Sequence, residues 1–140
     1  MGFLIDTCIW VDVERGTLAP ADVASFTRKE AVYISPVTIA ELKFGAEKTS
    51  DKNLRQKRLS ALRHLIQKPL LKIDGATGEI FGNISAALAT TGRGHGFRIQ
   101  DTWLAAQAIQ HNFRLLTYNA KDFRDIPGLE LVVMPTPVSQ

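Results

Sequence analysis

Short apolar runs alternate with segments of helical periodicity along this chain. Gly2-Phe3-Leu4-Ile5 is unbroken by polar residues and stops at Asp6, which predicts a buried strand. Residues 7–13 read as the helical turn that follows it. Gly16 and Pro20 punctuate, and Pro20 suits the first turn of a helix over 20–29. Residues 32–34 form a second strand. Ser35-Pro36 places a capping hydroxyl before a proline at the first helical position, so a helix is expected over 36–47. After a turn over 49–53, a long amphipathic helix sets Leu54, Leu59, Leu62, Leu65 and Ile66 inward, and Pro69 ends it. Residues 70–73 read as a third strand. Residues 76–91 read as a helix with Ile80, Ile84, Ala87 and Leu88 inward, and Ile99–His111 as another. Strands over 115–117 and 131–133 complete the pattern, and Pro135 and Pro137 keep the tail non-helical.

Apolar strands alternating with amphipathic helices point to an α/β fold on a small parallel sheet of about 4–5 strands flanked by helices. The length, 140 residues, fits a single domain over 1–140. Hydrophobic residues at 45% and charged residues at 22% exclude a wholly disordered chain. The single cysteine, Cys8, excludes an intramolecular disulfide and a Cys-only metal site. No apolar run approaches the roughly 20 residues of a membrane span. The N-terminus lacks a basic segment and meets Asp6 too early for a signal peptide, so no membrane partner and a cytoplasmic location are expected. The net charge of +3 hides an asymmetry: residues 43–72 hold nine Lys/Arg against two Asp/Glu, and the rest holds eight against twelve. A basic block suits a phosphate backbone. It also suits a solvated helix face.

Three carboxylates sit where solvated charges seldom do. Asp6 ends an apolar strand, Glu41 shares a helical face with Val37 and Phe44, and Asp101 shares one with Leu104, Ala105 and Ala108. Asp6 and Asp101 each have the plainer reading of a helix cap. Three together call for a common cause, since clustered, desolvated carboxylates repel and take up protons unless a cation supplies the counter-charge. Oxygen-only ligands favour Mg²⁺, with Mn²⁺ the other candidate, over Zn²⁺. Such an ion activates water and orients attack on phosphorus, which predicts a metal-assisted phosphodiesterase with the basic helix holding a polyanion.

The same residues fall into four ordered motifs: Leu4-Ile5-Asp6-Thr7; Ile34 to Leu42 with Glu41, followed by Gly45 and Ala46; Ile99 to Ala106 with Asp101; and Leu116-Thr117-Tyr118-Asn119-Ala120-Lys121-Asp122-Phe123. In that order they resemble the PIN-domain ribonucleases, most closely the VapC-type toxins of bacterial toxin–antitoxin pairs, over nearly the whole chain. The resemblance implies a PIN-like sheet, a homodimer and an endoribonuclease toxin that uses Mg²⁺ or Mn²⁺ and metal-activated water. The implied substrate is a structured RNA such as tRNA or rRNA, and the products carry 5′-phosphate and 3′-hydroxyl ends. It also implies a VapB-type antitoxin that lays a helix in an apolar groove, forms a hetero-oligomer and brings a basic side chain to the acidic site. Asp6, Glu41 and Asp101 are the implied metal ligands, and either Asn119 or Asp122 completes the catalytic set. Thr7, Arg93 and Thr117 are the implied substrate contacts. Two departures stand out: Cys8 replaces a common asparagine and is assigned to packing, and Asn119 stands where many relatives carry aspartate.

Other features carry less. The stretch Gly92-Arg93-Gly94-His95-Gly96 lacks a P-loop's Gly-Lys-Ser/Thr ending and follows no strand, so it is a connector or a phosphate contact beside Asp101. His64 and His111 have no metal-ligand partner at useful spacing and are assigned structural roles. Trp10 and Trp103 are expected to anchor the core or a dimer. A nucleophilic-aspartate phosphatase would need an acid at position 8, where this chain has cysteine. The remaining alternative is a non-catalytic scaffold that binds RNA or a partner.

Overall fold

Among the residues described, 2–92 and 99–137, the computed structural model has four strands and seven helices. In chain order they are β1 (Gly2–Ile5), α1 (Thr7–Arg15), α2 (Pro20–Thr27), β2 (Ala31–Tyr33), α3 (Pro36–Lys48), α4 (Lys52–Leu65), α5 (Gly75–Thr90), α6 (Ile99–His111), β3 (Arg114–Thr117), α7 (Ala120–Phe123) and β4 (Glu130–Val133). All paired strands run parallel, in the order β2-β1-β3-β4. Leu4 lies opposite Tyr33 on one side and Leu115 on the other. The chain leaves β1 toward one side to build β2 and returns on the other to build β3. That reversal opens a crevice beyond the carboxyl ends of β1 and β3, where open sheets of this kind hold ligands.

Alternation along the strands divides the core into two layers. Leu4 and Leu115 meet Ile84 and Leu88 of α5 and Leu104, Ala105 and Ala108 of α6. Phe3, Ile5 and Leu116 meet Ile9 of α1, Leu18 of the following turn, Val23 of α2, and Met134. Local chemistry fixes the helix ends. Ser35 Oγ accepts from Val37 N at 3.0 Å, Asp51 accepts from Asn53 N and Leu54 N, and Asp74 and Thr77 cap each other. The turn after α1 uses Gly16 at φ 80, a left-handed conformation that favours glycine. α3 packs chiefly on α4 and α5 on α6, while α3 and α6 share a much smaller contact.

Two sequence expectations change. Residues 70–73 form no strand of the sheet: Ile34 and Leu70 make one isolated parallel bridge. Only Leu71 of this stretch is buried, while Leu70 and Ile73 are exposed. The run is extended for the length of two backbone bonds, Ile34 N to Pro69 O and Leu71 N to Ile34 O, and then turns into the cap of α5. Ile66 is exposed rather than inward, because α4 ends at Leu65 and its periodicity ends with it. None of the helices described is long and apolar enough to cross a membrane.

Candidate active site

Asp6 follows β1 in the N-cap position of α1, yet its side chain makes no capping bond. The carboxylate turns instead toward β3. Its Oδ2 accepts from Thr117 Oγ1 at 2.8 Å and from the Cys8 thiol at 3.4 Å. Asp6 N donates to Leu116 O at 2.9 Å, which stitches the ends of β1 and β3 together. Burial pushes the Asp6 carboxyl above its ordinary value, against the bonds from Thr117 and Cys8, and the charge of Asp122 pushes the same way as burial. Glu41 reaches this place from α3. Thr7 Oγ1 lies 3.3 Å from Glu41 Oε1 as donor and 2.9 Å from Thr38 Oγ1. Burial raises the Glu41 carboxyl as well, the Thr7 bond opposes it, and the Asp6 charge adds to the rise.

Asp101 lies half-buried in the first turn of α6, inside the helix rather than capping it. The positive end of the helix dipole favours a carboxylate there. Leu104, Ala105 and Ala108 on its face are fully buried, as their spacing predicts. Asn119 stands before α7, and its backbone N donates to Thr117 Oγ1 at 3.0 Å. Asn119 is exposed and Asp122 half-buried. Asp6, Thr7, Glu41, Asp101, Asn119 and Asp122 therefore converge on one cleft of about 440 Å³. Of its last two members only Asp122 brings a charge.

Several expectations are corrected. Thr117 is fully buried with its hydroxyl bonded to Asp6, so it orients that carboxylate instead of meeting a substrate. Thr7 lines the cleft but holds Glu41. Phe44 is 66% exposed, with Lys48 over its ring at 5.5 Å, so the face it was expected to share with Glu41 does not continue into the core. Cys8 is no mere packing residue: it lines the cleft and donates to Asp6. Burial and the Asp6 charge hold its thiol protonated, which removes it as a nucleophile. The basic block divides. Arg55 donates to Thr49 O, and Arg58 to Gly45 O beside Glu14, while Lys52, Lys57 and Arg63 face solvent. Trp103 packs on Phe81 with ring centroids 4.2 Å apart. Arg93 and His95 lie outside the described residues.

The cleft also holds Asp12, Arg15 and Tyr118, which the sequence reading passed over. Burial, and then the neighbouring Asp12 carboxylate, push the Tyr118 phenol up. Cys8, Asp12 and Arg15 recur at helical spacing, so the cleft-facing side of α1 was legible once a full helix was assumed there. Beside the cleft lies a second hollow of about 470 Å³, walled by Trp10, Leu42, Leu62 and Leu65. Val11, Arg15 and Glu41 line both hollows. Among the described residues, the buried Trp10 Nε1 and Glu14 Oε1 have no hydrogen-bond partner, and Arg58 Nε stands 4.0 Å from that Glu14 oxygen.

Among the described residues, no three His, Cys, Asp or Glu side chains form a preassembled metal cage. The donor chemistry nonetheless fits a hard divalent cation. The acidic cleft offers carboxylates and an amide, and burial, which raises Asp6 and Glu41, is a cost that a bound cation would offset.

The profile of the PIN domain family matches residues 3–129. The chain is 30% identical over 139 residues to "Ribonuclease VapC1" of Rickettsia felis, a match covering 96% of this chain and 97% of the relative. It is 27% identical over 128 residues to "tRNA(fMet)-specific endonuclease VapC" of Shigella flexneri, covering 91% and 93%. Its fold is that of a chain in the crystal structure of VapBC2 from Rickettsia felis bound to a DNA fragment from their promoter, with a TM-score of 0.80 at 24% identity over 96% of this chain and 99% of that one. With the motifs in order and the match spanning both chains almost end to end, this protein belongs to the PIN-domain family, among the VapC ribonucleases.

Proposed function

We propose that this chain, acting as one PIN domain over 1–140, is the toxin of a VapBC-type pair and an endoribonuclease dependent on Mg²⁺ or Mn²⁺. The observation that carries this reading is the convergence of Asp6, Glu41, Asp101 and Asp122, from four separate stretches of sequence, on one cleft at the sheet's switch point. Asp6, Glu41 and Asp101 are the residues that would hold the ion, with Asp122 and Asn119 completing the pocket. The bound ion supplies charge neutralisation and Lewis acidity at the scissile phosphate. Thr117 and Thr7 hold Asp6 and Glu41 in place. Arg15, at the rim, is set to meet a neighbouring phosphate. Water attacks phosphorus, the bond to the 3′ oxygen breaks, and the cut leaves a 5′-phosphate and a 3′-hydroxyl.

A structured RNA, tRNA or rRNA, is the substrate class, and the tRNA-specific Shigella relative supports the first. The exposed Lys52, Lys57 and Arg63 of α4 add affinity for its backbone. The apolar hollow suits a helix of a VapB-type antitoxin, and the VapBC complex of like fold supports that partner. Because Glu41 lines both hollows, a basic side chain on that partner reaches the carboxylates the ion needs. Homodimerisation through exposed apolar residues such as Phe44 belongs to the same reading. Asn119 in place of an acid favours a non-catalytic scaffold, but Asp122 supplies a carboxylate in the same cleft.

The test is cleavage of a pooled tRNA and rRNA preparation with Mg²⁺, with EDTA, and with Asp101→Asn. Discrete fragments with 5′-phosphate ends that need both metal and Asp101 are expected. Identical lanes, or 2′,3′-cyclic phosphate ends, would overturn the mechanism.

A further inference from the structure

Gln107 is a polar side chain with 0% exposure inside the layer built on α5 and α6. Burying an amide is unfavourable unless both its ends are bonded. Here both are. Its Oε1 accepts from Ser35 Oγ at 2.5 Å, and its Nε2 donates to Leu71 O at 2.6 Å, with Lys72 O at 3.4 Å. Ser35 is the N-cap of α3, the helix that carries Glu41, and Gln107 lies on α6, the helix that carries Asp101. The two helices belong to different pairs, α3 with α4 and α6 with α5, and touch each other little. The same amide ties down the run after Pro69: residues 70–73 pair at Leu70 alone, and Gln107 takes the Leu71 carbonyl.

Ser35 is six residues before Glu41, and Gln107 six after Asp101, a rise of about 9 Å in each helix. Six residues also turn a helix by about 240° beyond a full revolution. Gln107 therefore grips α6 on a different side from Asp101, and a bond there sets the roll of the helix as well as its distance.

We propose that Gln107 is a positioning residue: its bridge to Ser35 and to the carbonyls of residues 71–72 sets the spacing and roll between the helices bearing Glu41 and Asp101, and through them the cleft's affinity for a divalent cation. This rests on the reading that Glu41 and Asp101 share an ion. Gln107→Met keeps the length and removes the bridge. Ser35→Ala removes it from the other side, and Ser35→Thr restores the hydroxyl. Leu104→Val loosens the same helix without touching the bridge. Mn²⁺ binding to the full chain is measured by calorimetry, with melting temperature alongside. Q107M and S35A are expected to weaken Mn²⁺ binding five- to tenfold and to raise by the same factor the Mn²⁺ needed for half-maximal RNA cleavage, with KM for RNA unchanged. S35T and L104V are expected to bind Mn²⁺ as the parent does. Parental affinity in folded Q107M, or in S35A where Q107M does not fold, overturns the bridge, as does equal weakening in L104V. Asp101→Asn and Glu41→Gln separate the two levels: if both also bind Mn²⁺ like the parent, the shared-ion reading fails rather than the bridge.

Discussion

The two hollows on either side of α1 are similar in size and opposite in chemistry. The cleft gathers carboxylates whose burial is unfavourable, whereas the neighbouring groove gathers Trp10, Leu42, Leu62 and Leu65 around one unpaired indole N–H. One nine-residue helix serves both: Thr7, Cys8 and Asp12 face the cleft, and Trp10, Val13 and Glu14 face the groove. On the proposed reading, chemistry and partner capture would therefore be alterable separately, except at Val11, Arg15 and Glu41, which line both hollows.

The largest separation is expected from Asp101→Asn set against Trp10→Ala. Loss of a cleft carboxylate lowers RNA cleavage by about a thousandfold, the scale of removing a main transition-state stabiliser, and weakens antitoxin binding much less, through the basic side chain alone. Trp10→Ala does the reverse. It weakens antitoxin binding by about 2 kcal/mol, as for an aromatic anchor in a pocket, without changing the cleavage rate. Parallel cleavage and titration calorimetry check the pair, and a variant that lost both functions would merge the two hollows into one.

A smaller effect is expected at Thr117→Val. The hydroxyl bond at 2.8 Å opposes the rise of the Asp6 carboxyl, and a bond to a charged group contributes about 1.5–3 kcal/mol. Its removal shifts the acid limb of the pH–rate profile upward. An unmoved limb would mean that Asp6 is not the group titrating there.

Smaller again is the pH dependence of metal-free stability. Burial raises Asp6 and Glu41 above their unfolded values, so the folded state binds more protons than the unfolded chain across that window. Stability then falls as pH rises through it and is regained on acidification from neutrality. Melting curves are expected to show this without Mg²⁺ and to show a weaker dependence with it. Substitution of Trp10, Leu42, Leu62 or Leu65 should leave the slope unaltered. The least effect belongs to Lys57→Gln and Arg63→Gln on α4. Each is expected to lower the salt-dependence slope of RNA binding by about 0.7–1 and to leave the catalytic rate unchanged. Filter binding across a salt series reads it.

What the sequence disclosed and concealed follows from how local each signal is. Asp6 at the end of an apolar run and Asp101 on an apolar helical face are local patterns, and both lie where those patterns put them. Glu41 was singled out through Val37 and Phe44; it does line the cleft, yet Phe44 points to solvent, so half of that reason fails. Thr117 was assigned to substrate by resemblance alone, and its bond to Asp6, 111 positions away, is one no periodicity reveals. Gln107 drew no notice, since a lone glutamine in a helix reads as surface until both ends of its amide are seen to be bonded. Residues 70–73 have a strand's composition but pair at one position only, because composition measures propensity and pairing needs a neighbour.

Val11, Arg15 and Glu41 on both walls have a kinetic consequence. A free guanidinium would have to be present at high concentration to contend with an ion for buried carboxylates. On the proposed reading, the same group on an antitoxin seated in the apolar groove would be held close to Glu41, which lines both hollows, so its effective concentration would be set by the tether and not by the solution. Restraint built that way endures however scarce the restraining chain becomes, until the chain itself leaves the groove. The dissociation rate from that groove would then time the onset of chemistry in the cleft.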